Sequence, residues 1–251
     1  MRLYAEVDGH GPSIVLVHGF TQTRQCWGPL AIDLAADHGV TRIDAPGHGR
    51  SASVAVGLTD GARLIGEVGA VATYMGYSMG ARFCLHLALA NPDVVRGLVL
   101  IGGTAGIADA EERASRRAQD IATAGRIRSK GVAAFLTDWL DQPIFASLSA
   151  EAQLQAERLE NTAEGLASSI ELAGTGAQDP LWDRLSELAM PVLLVAGELD
   201  EKFTAIAEQM AAGIGARAAV AIIPDAGHAT HLEQPRAVQA VVRAWLAEHG
   251  L

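Results

Sequence analysis

The pentapeptide Gly76-Tyr77-Ser78-Met79-Gly80 follows an apolar stretch, residues 70–75, and precedes a stretch of helical character, residues 81–90. A serine in such a position sits on a sharp turn between a strand and a helix, with its hydroxyl exposed at the sheet edge. The two glycines are expected because the turn is strained and a side chain there would collide with backbone. The pattern Gly-x-Ser-x-Gly is weak alone, since a chain with 27 glycines can contain it by chance.

Two later stretches supply partners for Ser78. Residues 191–197 have the pattern of a buried strand and lead to Asp200, and residues 222–224 end another strand shortly before His228. Ser, Asp and His in this order, each on a loop after a strand, are typical of the catalytic triad of the α/β-hydrolase fold. Singly, Asp200 would be a helix N-cap and His228 a loop residue. Together they predict that Ser78, Asp200 and His228 are catalytic.

A further strand, residues 13–17, leads into His18-Gly19-Phe20. In the α/β-hydrolase fold, the loop after this strand and the residue after the nucleophile donate backbone N–H groups to a developing oxyanion. We therefore expect the amides of Phe20 and Met79 to form an oxyanion hole beside the Ser78 hydroxyl.

Strand and helix patterns alternate along the first hundred residues, which predicts a mostly parallel sheet flanked by helices, independently of the triad. The strands are predicted at 14–17, 40–43, 70–75 and 98–101, and the helices at 27–36 and 81–90. Between residues 101 and 192 the patterns are helical, at 109–124, 131–140, 150–161 and 165–174. That segment is too long for a simple crossover. The sequence therefore predicts an α/β-hydrolase core, residues 1–104 and 190–251, with a helical cap insertion, residues 105–189.

The net charge of −10 argues against nucleic acid and anionic membrane surfaces as partners. No apolar stretch approaches the roughly 20 residues of a membrane span, and the first residues lack the features of a signal peptide. We expect a soluble cytoplasmic protein that is a monomer or homodimer. Cys26 and Cys84 are predicted to be buried reduced thiols. His228 and His231, even with Glu233 nearby, are poor evidence for zinc, so no metal is expected.

Arginines matter more than the total charge, because exposed charges are screened over roughly 8 Å whereas a guanidinium inside a pocket acts at contact. The predicted cap contains Arg113, Arg116, Arg117, Arg126, Arg128 and Arg158. Most are expected to be solvated, and Arg126 and Arg128 are interpreted as surface residues. Arg82 differs because it lies one helical turn after Ser78 on an otherwise apolar helix, where an unpaired charge is costly. Lys202 is interpreted as support for the Asp200 loop.

Several strings in the chain carry more information than the triad. The most specific are Trp139-Leu-Asp-Gln-Pro-Ile-Phe-Ala-Ser-Leu148 in the cap and Gly197-Glu-Leu-Asp-Glu-Lys-Phe203. Together with residues 76–82, 158–161, 174–176 and 228–235, they resemble the family of 2-succinyl-6-hydroxy-2,4-cyclohexadiene-1-carboxylate synthases. Members of that family are α/β-hydrolase-fold lyases of menaquinone biosynthesis. The resemblance extends from about residue 14 to residue 235, which is nearly the whole chain.

The resemblance implies a lyase that eliminates pyruvate from 2-succinyl-5-enolpyruvyl-6-hydroxy-3-cyclohexene-1-carboxylate, with Ser78 as general base and no metal or organic cofactor. A small polycarboxylate is therefore the expected partner. By position in the family's motifs, the implied substrate-binding residues are Arg82, Arg116, Arg158, Tyr77 and Trp139. Arg113 and Arg117 are close neighbours of Arg116, so which of the three faces the site is left open.

Two other functions are compatible with the same triad. A serine hydrolase acting on an ester, lactone or carbon–carbon bond of a small carboxylated substrate needs the same three residues. A catalytically inactive binding protein on this fold would tolerate loss of Ser78 or His228, yet all three positions are intact. The arginines and the cap strings favour the lyase.

Overall fold

Seven strands form one sheet in the computed structural model, which describes residues 2–251. The strands are β1 (Ala5–Asp8), β2 (Ser13–Val17), β3 (Gly39–Ile43), β4 (Ala72–Tyr77), β5 (Val95–Ile101), β6 (Val192–Gly197) and β7 (Ala218–Ile223). Their spatial order is β1-β3-β2-β4-β5-β6-β7. Strand β1 pairs antiparallel with β3, and the remaining pairs are parallel. The predicted mostly parallel α/β sheet is confirmed.

Helices cover both faces of the sheet. They are α1 (Gly28–Leu34), α2 (Leu58–Gly69), α3 (Met79–Ala90), α4 (Ala110–Leu140), α5 (Gln155–Arg158), α6 (Ala163–Ala173), α7 (Glu201–Ile214), α8 (Thr230–Glu233) and α9 (Pro235–His249). Side chains of β2 alternate between the two cores, because successive residues of a strand point to opposite faces. Val15 and Val17 pack with α2, α3 and α7, whereas Ile14 and Leu16 pack with α1 and α9.

The predicted strand at 70–75 is wrong at both ends. Helix α2 continues to Gly69, and Ala70 follows it with a positive φ of 50°, its N–H donating to the Gly66 carbonyl. Ala70 therefore ends the helix. The strand continues to Tyr77, which pairs with Ile101 on β5. An apolar run alone does not distinguish the last turn of a helix from the first residue of a strand.

The segment between β5 and β6 is helical, as expected, but its helices differ from the predicted ones. Helix α4 runs through the predicted gap at 125–130 and breaks at Gly131, where φ is 75°. The predicted helix 150–161 is largely wrong, since only the four-residue α5 forms there. The cap has a small core of its own, formed by Ala124, Ile127, Phe135, Leu166, Ala167 and Ile170. The cap limits of 105–189 remain a prediction.

Both cysteines are free and buried, as predicted. Across residues 2–251, no helix is both long enough and apolar enough to cross a membrane.

Candidate active site

Ser78 lies on a strained turn between β4 and α3. Its backbone angles are φ 50° and ψ −107°, in a region that residues other than glycine rarely occupy. A Cβ on Gly76 would lie 2.4 Å from the backbone of Gly80, and one on Gly80 would lie 1.9 Å from the Val17 carbonyl oxygen. The expectation that these glycines exclude a backbone collision is therefore confirmed. The close packing holds the serine hydroxyl at the carboxyl edge of the sheet.

The structure brings Ser78, His228 and Asp200 together. His228 Nε2 lies 3.2 Å from Ser78 Oγ, and His228 Nδ1 lies 2.8 Å from Asp200 Oδ2. Because a carboxylate only accepts, Nδ1 carries the proton and Nε2 is free to accept from the serine hydroxyl. Asp200 is also the N-cap of α7, since its Oδ1 accepts the Phe203 N–H at 3.2 Å. One residue thus serves as both helix cap and histidine partner.

Glu233 holds the loop that carries His228. Its two carboxylate oxygens accept the N–H groups of Gly227, at 2.7 Å, and Ala229, at 2.9 Å, which flank the histidine. Sequence reasoning considered Glu233 only as a weak zinc ligand and missed this role. His231, the second histidine considered for zinc, packs its ring against those of Tyr77 and Trp27, with ring centroids 4.4 Å and 5.0 Å apart.

A Glu233→Gln substitution is expected to lower kcat about tenfold while KM changes little. The amide keeps one acceptor oxygen but presents an NH2 group to the second backbone N–H, so the His228 loop loses one of its two holds. Steady-state kinetics would show the effect, and circular dichroism would check the fold. Unchanged kcat at all pH values would exclude a positioning role for Glu233.

The two proposed oxyanion donors are free of hydrogen bonds to other protein groups in the described part of the chain. Within residues 2–251, neither the Phe20 nor the Met79 backbone N–H donates to another protein group. The peptide group that carries the Phe20 N–H is fixed through the Gly19 carbonyl, which faces His18 Nδ1 at 2.8 Å and accepts from the Gln22 N–H at 3.1 Å. Their convergence on the Ser78 oxygen remains a prediction.

A cavity of about 1490 Å³ lies between the cap and the core, and Ser78 and His228 are in its wall. Phe20, Tyr77 and Trp139 form part of the lining, so both aromatic residues carried over from the family line this cavity. The Trp139 indole Nε1 is buried and has no hydrogen-bond partner. The cavity therefore has aromatic side chains in its wall, including one indole whose N–H has no partner among the residues described.

Arg116 is the member of its cluster that lines the cavity. Its Nε donates to Asp120 Oδ1 at 2.8 Å, and Asp120 also accepts the Gly176 N–H at 2.9 Å. The two neighbours point elsewhere. Arg113 donates to the carbonyls of residues 107 and 108, and Arg117 donates to the carbonyl of residue 171.

Arg82 and Arg158 are buried, with exposures of 5% and 2%, and neither belongs to the cavity lining. Arg82 Nη1 donates to the Ala173 carbonyl at 2.7 Å. Arg158 donates to Thr21 Oγ1 at 2.5 Å and to the Gln153 carbonyl at 2.7 Å. Within residues 2–251, no carboxylate lies within 4.0 Å of either guanidinium. Burial lowers the pKa of Arg82 to about 10 and also lowers the pKa of Arg158.

Arg126 is exposed, as predicted, but it also lines the cavity, which the sequence did not indicate. Its guanidinium bonds only the neutral Thr123 Oγ1, at 3.0 Å, among the residues described. The cavity-lining residues of α4 before its break at Gly131 are 112, 116, 119, 120, 122, 123 and 126, which together form one side of a helix. That spacing is the signal that would have identified Arg126. Arg128 is paired with Glu164 and Glu171 on the surface, as predicted.

Lys202 lines the cavity from the core side and is exposed there. Its side chain makes no hydrogen bond within residues 2–251, so the expected support of the Asp200 loop is not seen. That loop is held instead by contacts of Asp200 itself with Phe203 and His228.

Comparison with known proteins gives consistent results. A model of the alpha/beta hydrolase family matches residues 14–241. A Salmonella newport protein named 2-succinyl-6-hydroxy-2,4-cyclohexadiene-1-carboxylate synthase is 36% identical over 239 residues, covering 90% of this chain and 90% of that protein. The structure of MenH from S. aureus matches with a TM-score of 0.92 and 28% identity over 99% of both chains. A thermophilic esterase from Thermogutta terrifontis matches with a TM-score of 0.82 and 25% identity, covering 98% of this chain and 93% of that one.

Proposed function

Because the chain belongs to the alpha/beta hydrolase family and, within it, to the 2-succinyl-6-hydroxy-2,4-cyclohexadiene-1-carboxylate synthases, we propose that it is the corresponding lyase. The reaction eliminates pyruvate from 2-succinyl-5-enolpyruvyl-6-hydroxy-3-cyclohexene-1-carboxylate. The product is the conjugated diene after which these relatives are named, an intermediate of menaquinone biosynthesis.

The observation that carries this proposal is the pair of buried guanidinium groups without acidic partners. A buried charge is costly unless it is paired. Arg24 illustrates the ordinary solution, because it is equally buried but has three carboxylates within 3.2 Å, those of Glu6, Asp44 and Glu160. Arg82 and Arg158 lack any such group. We infer that carboxylates of the substrate complete these pairs.

The charge of the substrate fits this set of cations. It carries a succinyl carboxylate, a ring carboxylate and an enolpyruvyl carboxylate, whereas an ordinary ester substrate needs no buried cation. Arg116 supplies a third guanidinium at the cavity wall. Since neither Arg82 nor Arg158 belongs to the cavity lining, binding through them requires a rearrangement of the site when the substrate enters.

The chemical step follows from the hydrogen bonds of the triad. Ser78 Oγ takes the proton from the ring carbon that bears the succinyl ketone while its own hydroxyl proton passes to His228 Nε2. Asp200 stabilises the imidazolium that results. The enolate oxygen accepts from the amides of Phe20 and Met79. Its electrons return to restore the ketone, the ring double bond shifts, and the bond to the enolpyruvyl oxygen breaks. The released enolpyruvate takes up a proton and becomes pyruvate, and the His228 imidazolium gives up its proton, so the triad returns to its starting state.

A hydrolase is the second candidate, and the likeness to the Thermogutta terrifontis esterase favours it. The same triad would then attack a carbonyl carbon and form an acyl-serine. The two functions differ in their products, because elimination creates a conjugated diene and hydrolysis does not.

The test is to generate the enolpyruvyl substrate enzymatically, add the protein, and follow pyruvate and diene absorbance together. Equal amounts of pyruvate and diene would support the lyase. An acyl adduct on Ser78 in the mass spectrum, with no diene formed, would instead support hydrolysis.

Arg126→Gln is expected to raise KM about three- to tenfold, with the difference shrinking as salt is added, because Arg126 is an exposed cation at the cavity wall. Arg128→Gln is the matched control, since that arginine lies two positions further along α4, outside the cavity lining, and pairs with Glu164 and Glu171. The kinetics would be measured at low and high ionic strength. Equal effects of the two substitutions would contradict a binding role for Arg126.

A further inference from the structure

Thr21 has an unusual backbone conformation directly after the proposed oxyanion donor Phe20. Its φ is 67°, in the left-handed region. For a β-branched residue this is an outlier that persists only where the surroundings impose it. The contacts of Thr21 therefore indicate what shapes this loop.

Three contacts hold Thr21 in that conformation. Its N–H donates to His48 Nε2 at 3.3 Å, its carbonyl accepts from Asn161 Nδ2 at 2.8 Å, and its hydroxyl oxygen accepts from Arg158. His48 is suited to accept, because burial lowers its pKa to about 3 and its Nδ1 faces the Pro46 carbonyl at 2.9 Å. The core supplies one of these contacts, and the cap supplies the other two.

Asn161 is the centre of this arrangement. It is 6% exposed and lies between α5 and α6 in the cap. Its Nδ2 group donates to the carbonyls of Thr21, at 2.8 Å, and Arg158, at 2.9 Å, and lies 3.4 Å from the carbonyl of Gln22. Its Oδ1 accepts the Gly49 N–H at 2.9 Å. One amide therefore ties the cap to two separate loops of the core.

Hydrogen bonds connect Gln22, whose carbonyl lies near Asn161, to the peptide group between Gly19 and Phe20. The Gln22 N–H donates to the Gly19 carbonyl, and the Gly19 N–H donates to Gln22 Oε1, both at 3.1 Å. The turn over residues 19–22 is thus closed on itself, and Asn161 binds its far end. Since the Gly19 carbonyl and the Phe20 N–H belong to the same rigid peptide plane, fixing one orients the other.

We propose that Asn161 is a positioning residue through which the cap orients the Phe20 amide of the oxyanion hole. The inference rests on the proposed function, because it assigns Phe20 a part in that reaction. Asn161 does not line the cavity and is not expected to touch the substrate.

The first test compares Asn161→Ala with Gln25→Ala. The Asn161 substitution is expected to lower kcat about 10- to 30-fold at nearly unchanged KM, less than the 10²- to 10³-fold that loss of a whole oxyanion donor costs. Gln25→Ala is the control, because it removes another cap-to-core hydrogen bond, from Gln25 Nε2 to Glu160 Oε1, without touching residues 19–22. It is expected to leave kcat unchanged.

A second substitution separates positioning from a general loss of structure. Glycine adopts positive φ without steric cost, so adding Thr21→Gly to Asn161→Ala removes the need for the lost contact. We expect part of the lost kcat to return in the double variant. A purely structural defect at Asn161 would not be repaired by a glycine on the neighbouring loop.

A third measurement does not depend on the identity of the substrate. Phosphonylation of Ser78 by a p-nitrophenyl alkylphosphonate also develops negative charge on an oxygen beside the serine, and release of nitrophenolate reports its rate. This rate should fall with kcat in Asn161→Ala and recover with Thr21→Gly. If the wild-type protein releases no pyruvate but the phosphonylation rates follow this order, the proposed function fails and the role of Asn161 stands. Wild-type kcat and phosphonylation rates in Asn161→Ala would overturn the inference.

Discussion

Ser78→Ala is expected to lower kcat/KM for pyruvate release by about 10³- to 10⁴-fold, the upper part of the range for general-base catalysis. Alanine removes the only atom that connects His228 to the substrate, since His228 Nε2 lies 3.2 Å from Ser78 Oγ. The aromatic walls and the arginines stay in place. KM should therefore change far less than kcat, and the residual rate should come from binding and the oxyanion amides.

Ser147→Ala is the matched control for this experiment. Ser147 lines the same cavity but makes no hydrogen bond to His228. It should keep nearly full activity, and both variants should retain the wild-type melting temperature. The strained backbone at position 78 does not depend on the hydroxyl, because it is imposed by the packing of Gly76 and Gly80. Comparable rates for Ser78→Ala and the wild type would remove Ser78 from the mechanism and leave the binding-protein interpretation.

The contact between the three predicted catalytic side chains could be anticipated from sequence because the position of each depends on local features. Ser78, Asp200 and His228 each follow an apolar strand, and parallel strands place their carboxyl ends at one edge of the sheet. That these three side chains lie close together could therefore be predicted without knowing how the helices pack. Even the competing interpretation of Asp200 as an N-cap is correct, because capping uses one carboxylate oxygen and His228 the other.

The cap was less predictable because its residues depend on contacts between distant segments. Arg126 and Arg128 are two residues apart and chemically equivalent, yet only Arg126 lines the cavity. The direction in which each points is set by how α4 packs on α6, through residues such as Ile127 and Leu166. Composition carries no information on that choice.

In the loop that carries Phe20, too, the sequence predicts what depends on local features and not what depends on distant contacts. Phe20 is predicted as an oxyanion donor from a strand followed by His-Gly, which is a local signal. The conformation of Thr21, by contrast, depends on contacts with Asn161 and Arg158, which are more than 130 positions away in the chain. A positive φ at a threonine has no signature in sequence, because threonine disfavours it.

Arg82→Met and Arg158→Met are each expected to lower kcat/KM about 10- to 100-fold, because a hydrogen bond to a charged group contributes about 1.5–3 kcal/mol. If the two contacts are independent, the double variant should lose about 10²- to 10⁴-fold. In Arg82→Met the loss should be confined to carboxylated substrates, and a small neutral aryl ester that reacts with Ser78 should react at an unchanged rate. Arg158→Met also removes a contact to Thr21, so it should slow the neutral ester as well, but by less than it slows the carboxylated substrate.

The variants that lose activity are expected to keep their stability. Arg24→Met is the control, because it is expected to lower the free energy of unfolding instead. Removing Arg24 leaves the fully buried Asp44 carboxylate without its cation, which for a buried pair costs about 3–5 kcal/mol of unfolding free energy. Removing Arg82 or Arg158 strands no carboxylate and replaces an unpaired buried charge by an apolar side chain. Their free energies of unfolding should therefore stay within about 1 kcal/mol of the wild type, or rise.

Chemical denaturation and steady-state kinetics on the same three variants separate a binding arginine from a structural one. Arg24→Met should lose stability, whereas Arg82→Met and Arg158→Met should lose turnover while staying folded. If Arg158→Met unfolds as readily as Arg24→Met, its guanidinium holds the cap together through Thr21 and Gln153. If both arginine variants instead remain stable and fully active, the buried cations have no carboxylate to bind and the lyase assignment loses its main support.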